Sequence, residues 1–181
     1  MEEEITYNFK VIMTGDAAVG KTSIVKRYMT HTFKEDYLVT IGVQVSSKVF
    51  DFRGIRARMI LWDVAGQKAF NAVVPLYFQG ADFALMVYDI TDRKTFLNVR
   101  NWSERVKEES PNAVMILVGN KVDLNDKRAV SPAEGYEMAR SLGCQAFFET
   151  SAKTGDGIDE VFQAILRLFF LRRLKEIRGE A

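Results

Sequence analysis

The 181-residue chain is short of the residues on which several common chemistries depend. Its single cysteine, Cys144, excludes an internal disulfide framework and suits a reducing compartment. Its single histidine, His31, argues against a His/Cys metal cluster and against a Ser-His-Asp triad built on it. Cys144 reads as part of the fold and His31 as solvated surface. Charge of either sign is not in excess: the net value of +1 gives no global pull toward nucleic acid, and no Lys/Arg stripe runs through the core segments. Long apolar runs are missing too. FALMVY (83–88) and AVMILV (113–118) are far too short to span a bilayer. The start, MEEEITY, is acidic and lacks the basic-then-apolar order of a signal peptide. There is no repeat, low-complexity tract or linker. What is present is 48% apolar, enough for one sizeable core. One domain over 1–181 is expected, with about 170–181 as the end of a last helix and a short tail.

Apolar patterning places the elements. Residues 8–14 read as a strand ending at Gly15, and a helix follows over 20–29 with Ile24, Val25 and Tyr28 on one face. Two strand-like runs, 43–52 and 55–62, flank Arg53-Gly54 as a hairpin. The continuous apolar runs 83–90 and 114–118 suit strands covered on both faces. Asp92 caps a helix carrying Phe96, Val99, Trp102 and Val106. Ser131-Pro132-Ala133-Glu134 is a helix start and Gly143 its stop. A short strand over 145–149 and a final helix from about Gly157 complete the series. The alternation predicts an α/β fold: a mostly parallel sheet with one antiparallel strand and helices on both faces. Ligands of such sheets bind at the carboxyl ends of the strands, and the motifs of this chain fall at those ends.

GDAAVGKTS (15–23) fits the phosphate-loop pattern through Gly15, Gly20, Lys21 and Thr22. A strand that turns through glycine into a helix gathers backbone N–H groups into an anion nest. Lys21 adds a point charge for the outer phosphates, and Thr22 offers Mg²⁺ a hydroxyl. GNKVD (119–123) names the base. Asp123 can accept from the N1–H and the exocyclic amine of guanine, a donor pair adenine lacks. Asn120 can serve base edge and phosphate loop, and the Lys121 stem can lie along the ring. WDVAGQ (62–67) offers Asp63 toward Mg²⁺ through water, the Gly66 amide toward the γ-phosphate, and Gln67 to orient water; Trp62 reads as core. YLVTIG (37–42) supplies Thr40 as a second hydroxyl for a hard, oxygen-seeking cation. In ETSAK (149–153), the Ser151 and Ala152 backbone could touch the guanine O6, with Lys153 near the ring.

With these five motifs in this order, the sequence resembles the small GTPases of the Ras superfamily over almost its whole length, and the Rab branch most. TIGVQV (40–45), GQKAF (66–70), LYFQGAD (76–82) and VYDIT (87–91) carry the Rab likeness. Gln44 and Val45 depart from it, standing where Rabs usually have an acidic residue and an aromatic. There is no insertion of the Rho type. The resemblance implies a P-loop NTPase fold with a six-stranded sheet, and Phe33 packed across the guanine. It also implies GTP contacts at Gly15, Ala17, Ala18, Val19, Gly20, Lys21, Thr22, Ser23, Tyr37, Thr40 and Gly66, and at Asn120, Lys121, Asp123, Ser151, Ala152 and Lys153. Mg²⁺ would sit on Thr22, Thr40 and Asp63, with Gln67, Lys21 and Thr40 in the catalytic set.

The resemblance further implies a switch cycling between GDP and GTP, in membrane traffic or signalling. Its segments 33–45 and 66–80 would be ordered by GTP and read by effectors, an exchange factor and an activating protein. No arginine lies in 32–39, so unassisted hydrolysis is expected to be slow. Ala17, where many relatives have glycine, is expected to crowd Gln67 and slow turnover; Ala18 reads as neutral. The competing reading is a GTP-loaded binding module with negligible hydrolysis. A P-loop kinase or ATPase is disfavoured by Asn120-Lys121-Val122-Asp123 and by the lack of a lid segment. The chain shows no prenylation cysteine: either the tail is trimmed or the protein is not prenylated. LRLFFLRRLKEIR (166–178) could lie on an anionic membrane through Phe170, Leu171, Leu174 and Ile177, or be only the last helix of the fold. A cytoplasmic monomer, peripheral on the cytosolic face of membranes, is the default.

Overall fold

A computed structural model describes residues 6–33, 40–66 and 74–179. The two strand-like runs around Arg53-Gly54 are β2 (Val43–Phe52) and β3 (Ile55–Val64), paired antiparallel with Phe52 opposite Ile55. Arg53 and Gly54 both have positive φ, as a two-residue hairpin turn of the right twist requires. Around this hairpin the chain runs β1 (Thr6–Thr14), α1 (Lys21–Thr30), then, after β3, α2 (Val74–Phe78) and β4 (Phe83–Asp89). It continues through α3 (Arg93–Glu109), β5 (Val114–Asn120), a 3-10 segment (Val122–Lys127), α4 (Pro132–Leu142), β6 (Ala146–Thr150) and α5 (Ile158–Arg178). The six strands form one sheet in the order β2-β3-β1-β4-β5-β6, parallel except for the β2–β3 pair.

Period-two alternation sorts side chains onto the two faces. Phe9, Val11 and Met13 of β1, with Leu85 and Val87 of β4, meet α1 and α5. Ile12, Ala84, Met86 and Tyr88 point the other way, to Phe96, Val99, Trp102 and Val106 of α3 and to Met138 and Leu142 of α4. All seven residues of β4 are buried because helices cover both sides, which is why its sequence does not alternate. β2, at the sheet edge, is half exposed. Aromatic stacking seats the helices of the first face: Tyr28 of α1 on Phe162 of α5 at 3.7 Å, and Phe9 on Phe169 at 4.1 Å.

Helix ends match their local chemistry. Asp92 accepts from the Lys94 amide at the start of α3. Ser131 and Glu134 form a reciprocal capping box at α4, and Gly143 closes that helix in the left-handed region. Arg93 and the Ser131 cap hold the Glu134 carboxyl down to about 2. The sequence reading missed two elements, the five-residue α2 and the 3-10 segment, both too short to carry a periodic signal.

The final helix corrects one expectation. Phe170 is buried, its ring 5.2 Å from that of Phe52, and Leu174 packs against the same core. Only Leu171 and Ile177 of the four apolar side chains offered for a membrane are exposed. Among the described residues no helix is long and apolar enough to cross a membrane.

Gly135 of α4 gives a test in which two effects oppose. Alanine is favoured over glycine within a helix by about 1 kcal/mol. Here, however, a Cβ would stand 2.4 Å from a Phe147 ring carbon and 2.6 Å from the hydroxyl of fully buried Tyr88. Overpacking of that kind costs about 1–3 kcal/mol and should win. Gly135→Ala is therefore expected to lower the melting temperature by roughly 2–4 °C, read by calorimetry; an unchanged or raised value would mean the two rings move aside freely.

Candidate nucleotide-binding site

The carboxyl ends of β1, β3, β5 and β6 converge on a cavity of about 730 Å³. The 15–20 turn after β1 forms one wall. Gly15 has φ 138°, and a Cβ there would stand 2.2 Å from the Val87 carbonyl oxygen, so only glycine fits. Gly20 has φ 101°, and a Cβ would meet the Asn120 amide nitrogen at 2.3 Å. Ala17 and Ala18 are exposed in the same wall. Ala18 has φ 64°, left-handed backbone that glycine adopts without penalty and alanine does not. It is therefore a strained position.

Lys21 is buried at the floor of this turn, its ammonium donating to the Gly15 carbonyl at 2.8 Å and the Asp16 carbonyl at 2.7 Å. Burial depresses it to about 8, with the nearby Asp63 and Asp16 pulling the other way. Asp63, at the end of β3, shows the opposite imbalance. Burial raises its pKa, against the Thr22 hydrogen bond and the charges of Lys21 and Lys26. A buried cation beside a buried carboxylate, the charged form of each penalised by desolvation, suits a ligand that brings both negative charge and a metal ion.

The oxygens that could hold such a metal are gathered. The Thr22 hydroxyl lies 2.6 Å from that of Thr40 and donates to Asp63 Oδ2 at 2.5 Å, while Asp63 Oδ1 is buried with no partner. Two hydroxyls and an unsatisfied carboxylate oxygen fit a hard ion such as Mg²⁺, which takes oxygen ligands and completes its shell with phosphate and water. Among the described residues no cluster of three His, Cys, Asp or Glu offers an alternative metal site.

Asn120 ties the two ends of the cavity together. Fully buried, it donates from Nδ2 to the Val19 carbonyl at 2.9 Å. Its Oδ1 accepts from the Thr150 hydroxyl at 3.0 Å and the Ala152 amide at 3.3 Å. Asp123 faces the cavity, and its Oδ1 accepts from the Ser151 hydroxyl at 2.6 Å. The Ser151 amide is already bonded to the Asp156 carbonyl at 2.9 Å. Ser151 thus acts through its side chain on Asp123 rather than through a free amide. The Ala152 amide donates to Asn120 Oδ1 over the longer distance of 3.3 Å.

Phe33, Lys121 and Lys153 line the cavity, as expected. Ser23 lines it as well, and Val19 is buried behind it, contributing its carbonyl to Asn120. Gly66 lies against the turn: a Cβ there would be 2.3 Å from the Gly15 oxygen and 2.6 Å from the Ala17 nitrogen. Tyr37 and Gln67 lie outside the described residues.

Sequence reasoning missed three supports. Arg27 of α1 donates to the Ala152 carbonyl at 2.7 Å, to the Lys153 carbonyl and to the His31 carbonyl at 3.1 Å. Asp89 pairs with the Lys121 ammonium at 2.6 Å and so fixes the end of the lysine side chain. Asp16 binds α3. Apart from His31, each partner lies far off in sequence, and no local pattern announces it.

A model of the Ras family matches residues 10–170. The chain is 36% identical to the Ras-related protein Rab-13 of Canis lupus familiaris over 173 residues, covering 95% of this chain and 85% of that one. It is 36% identical to the Ras-related protein Rab-8A of Gallus gallus over 182 residues, covering 100% and 87%. It is 37% identical to the Ras-related protein RABE1e of Arabidopsis thaliana over 163 residues, covering 89% and 74%. The chain belongs to the Ras family. It is a small GTPase of the Rab branch, with the mostly parallel six-stranded sheet of a P-loop GTPase.

In this GTPase the buried Asn120 amide satisfies three separate groups at once. Asn120→Ala would leave the Val19 carbonyl, the Thr150 hydroxyl and the Ala152 amide without it. The expected loss of folding stability is about 2–4 kcal/mol. Chemical denaturation of the nucleotide-free protein reads it. A loss within error of zero would show that water replaces the amide and that the two loops are not joined through it.

Proposed function

We propose that this chain is a switch in membrane traffic that binds GTP in the cavity, hydrolyses it slowly unless assisted, and presents 33–45 and 66–80 to effectors, an exchange factor and an activating protein. The observation that carries the reading is that one cavity is lined both by Asp123, held by Ser151, and by the buried Lys21, while Asn120 hydrogen-bonds the loop of Val19 to the loop of Ala152. In this assignment the amides of 15–20 and the Lys21 ammonium hold the phosphates. Thr22, Thr40 and Asp63 hold Mg²⁺, which when bound supplies charge stabilisation at the outer phosphates. Gly66 offers its amide to the γ-phosphate, Gln67 orients water, Tyr37 flanks the nucleotide, and Phe33 covers the guanine.

The two γ-facing loops are coupled in the backbone. The Ala65 amide donates to the Gly42 carbonyl at 2.9 Å, so a contact made at Thr40 and one made at Gly66 reinforce each other. Around them Ile41, Val45 and Leu76 are exposed apolar side chains, which suits a surface that partners read. One domain over 1–181, acting as a monomer, and peripheral contact with the cytosolic face of membranes complete the proposal. Leu171 and Ile177, with the basic residues of α5, are what the last helix has to offer a lipid surface.

Base choice rests on Asp123. Asp123→Asn is expected to weaken GDP binding by at least about 100-fold and to strengthen binding of the xanthine nucleotide, which accepts where guanine donates. Equilibrium titration with both nucleotides measures it; unchanged preference would remove the assignment of the base end. Nucleotide released from the purified protein should be GDP, whereas retained GTP would favour a module that barely hydrolyses.

The rate rests partly on Ala17, whose methyl is exposed to the cavity beside Gly66. Ala17→Gly is expected to raise the single-turnover hydrolysis rate by about tenfold, roughly 1.4 kcal/mol of barrier. Equal rates for the two forms would clear Ala17 of any part in slow turnover.

A further inference from the structure

The phosphate loop carries a carboxylate, Asp16, at a place where negative charge opposes the binding of a polyanion. Its surroundings give it another task. Asp16 Oδ1 accepts two hydrogen bonds from α3, from Asn98 Nδ2 at 2.5 Å and from Trp102 Nε1 at 2.8 Å. Asn98 and Trp102 are one helical turn apart, so both reach the same oxygen. The amide of Asn98 is itself oriented: Asn101 Nδ2 donates to Asn98 Oδ1 at 2.5 Å, which turns Asn98 Nδ2 toward Asp16. Trp102 is buried, and the neighbouring Phe96, Val99 and Val106 fix α3 to the sheet.

The backbone of Asp16 is where the reacting end of the site is assembled. Its carbonyl accepts from Lys21 Nζ. Gly66 packs on the peptide that joins Asp16 to Ala17, where a Cβ would stand 2.4 Å from the Asp16 carbonyl carbon and 2.6 Å from the Ala17 nitrogen. That peptide is therefore bounded by Lys21 on one side, by Gly66 on another, and by the α3 tether through the side chain.

We infer that Asp16, Asn98 and Trp102 are positioning residues for hydrolysis: α3 holds the Asp16 carboxylate, and through it sets the Asp16–Ala17 peptide against which Gly66 and Lys21 are placed. The inference rests on the reading of 15–23 as the phosphate loop. Because the tether works through an accepted hydrogen bond and not through charge, an amide oxygen at position 16 can replace the carboxylate. A displacement of an ångström at a reacting centre costs up to about 100-fold in rate, so loss of a positioning contact should register well above error.

The test compares Asp16→Ala, Asp16→Asn, Asn98→Ala and Trp102→Phe with the wild type. Two measurements are made: single-turnover hydrolysis of preloaded GTP, and the ³¹P spectrum of the complex with Mg²⁺ and a non-hydrolysable GTP analogue. Asp16→Ala should lose about tenfold in rate, Asn98→Ala and Trp102→Phe about threefold each, and Asp16→Asn should stay within about twofold of wild type. The γ-phosphate resonance should move in Asp16→Ala, Asn98→Ala and Trp102→Phe and hold in Asp16→Asn. Asn98→Ala, at a half-exposed position, keeps the test independent of any folding defect in Trp102→Phe. Wild-type rates and unmoved resonances throughout would overturn the tether, as would an Asp16→Asn as impaired as Asp16→Ala, since charge would then be the cause. A wild type that binds the analogue but turns over no GTP would sink the slow-hydrolysis reading alone, leaving the resonances to decide the tether.

Discussion

A parallel sheet ends in loops that have no reason of their own to stay together, and here one buried amide joins them. Asn120 stands at the end of β5 with a donor aimed at the loop after β1 and an acceptor aimed at the loop after β6. Inside the protein each of those groups would otherwise be without water or partner, so the alternative to the joined arrangement costs several kcal/mol. Gly20 has no Cβ because Asn120 occupies its space. Ser151 reaches back to Asp123 across the same gap. The distance between the phosphate end and the base end of the cavity is thus set by side-chain hydrogen bonds between loops, on a frame supplied by the strands.

The same region is electrostatically unfinished. Lys21 is buried with two carbonyls and, among the described residues, no carboxylate in hydrogen-bond contact, and Asp63 keeps one oxygen unpaired. In a core such groups would be replaced by apolar ones at a gain in stability. Under the proposed function the ligand would complete them: phosphate for the ammonium, a hard cation for the carboxylate and the two threonine hydroxyls. Binding therefore adds to folding stability by mass action, and the empty protein should be the least stable member of the cycle. Under the same proposal the state of the ligand would reach the surface through the loops of Thr40 and Gly66. Thr40 and Gly66 border a common gap, and the Gly42–Ala65 backbone bond links the loops on which they sit.

Much of this was legible in the sequence, and unevenly so. Motifs whose chemistry is local, such as 15–23 and 119–123, could be read because loop, strand end and side chain lie within a few residues of each other. Long strands and helices were legible for the same reason, down to the Ser131–Glu134 cap. What escaped lacks a local signal. α2 has five residues and no period. Arg27 meets Ala152 across 125 positions, and Asp16 meets Trp102 across 86. Ala18 shows a further limit: its left-handed backbone is imposed by the turn, and nothing in the letter A reveals it. For the end of α5 the sequence pattern did not place Phe170 on the core side. The neighbouring Phe52 decides that, through a contact between the hairpin and the helix.

The departures at Gln44 and Val45 can be weighed in the same terms. Both lie on the edge strand β2, opposite Asp63 and Trp62, and both are exposed. Asp63 borders the cavity end proposed for the metal, yet its carboxylate is engaged by Thr22, not by β2. A change at 44 or 45 therefore alters what a partner meets while leaving the nucleotide contacts in place. Replacing an aromatic by Val45 removes area that could be buried on association, at about 25 cal/mol per Å². Trp62 remains, half-buried and 6.4 Å from the ring of Tyr77, to supply part of an apolar surface. Specificity for partners is thus free to diverge on this edge, whereas the cavity behind it is constrained from every side by buried polar groups that must all be satisfied together.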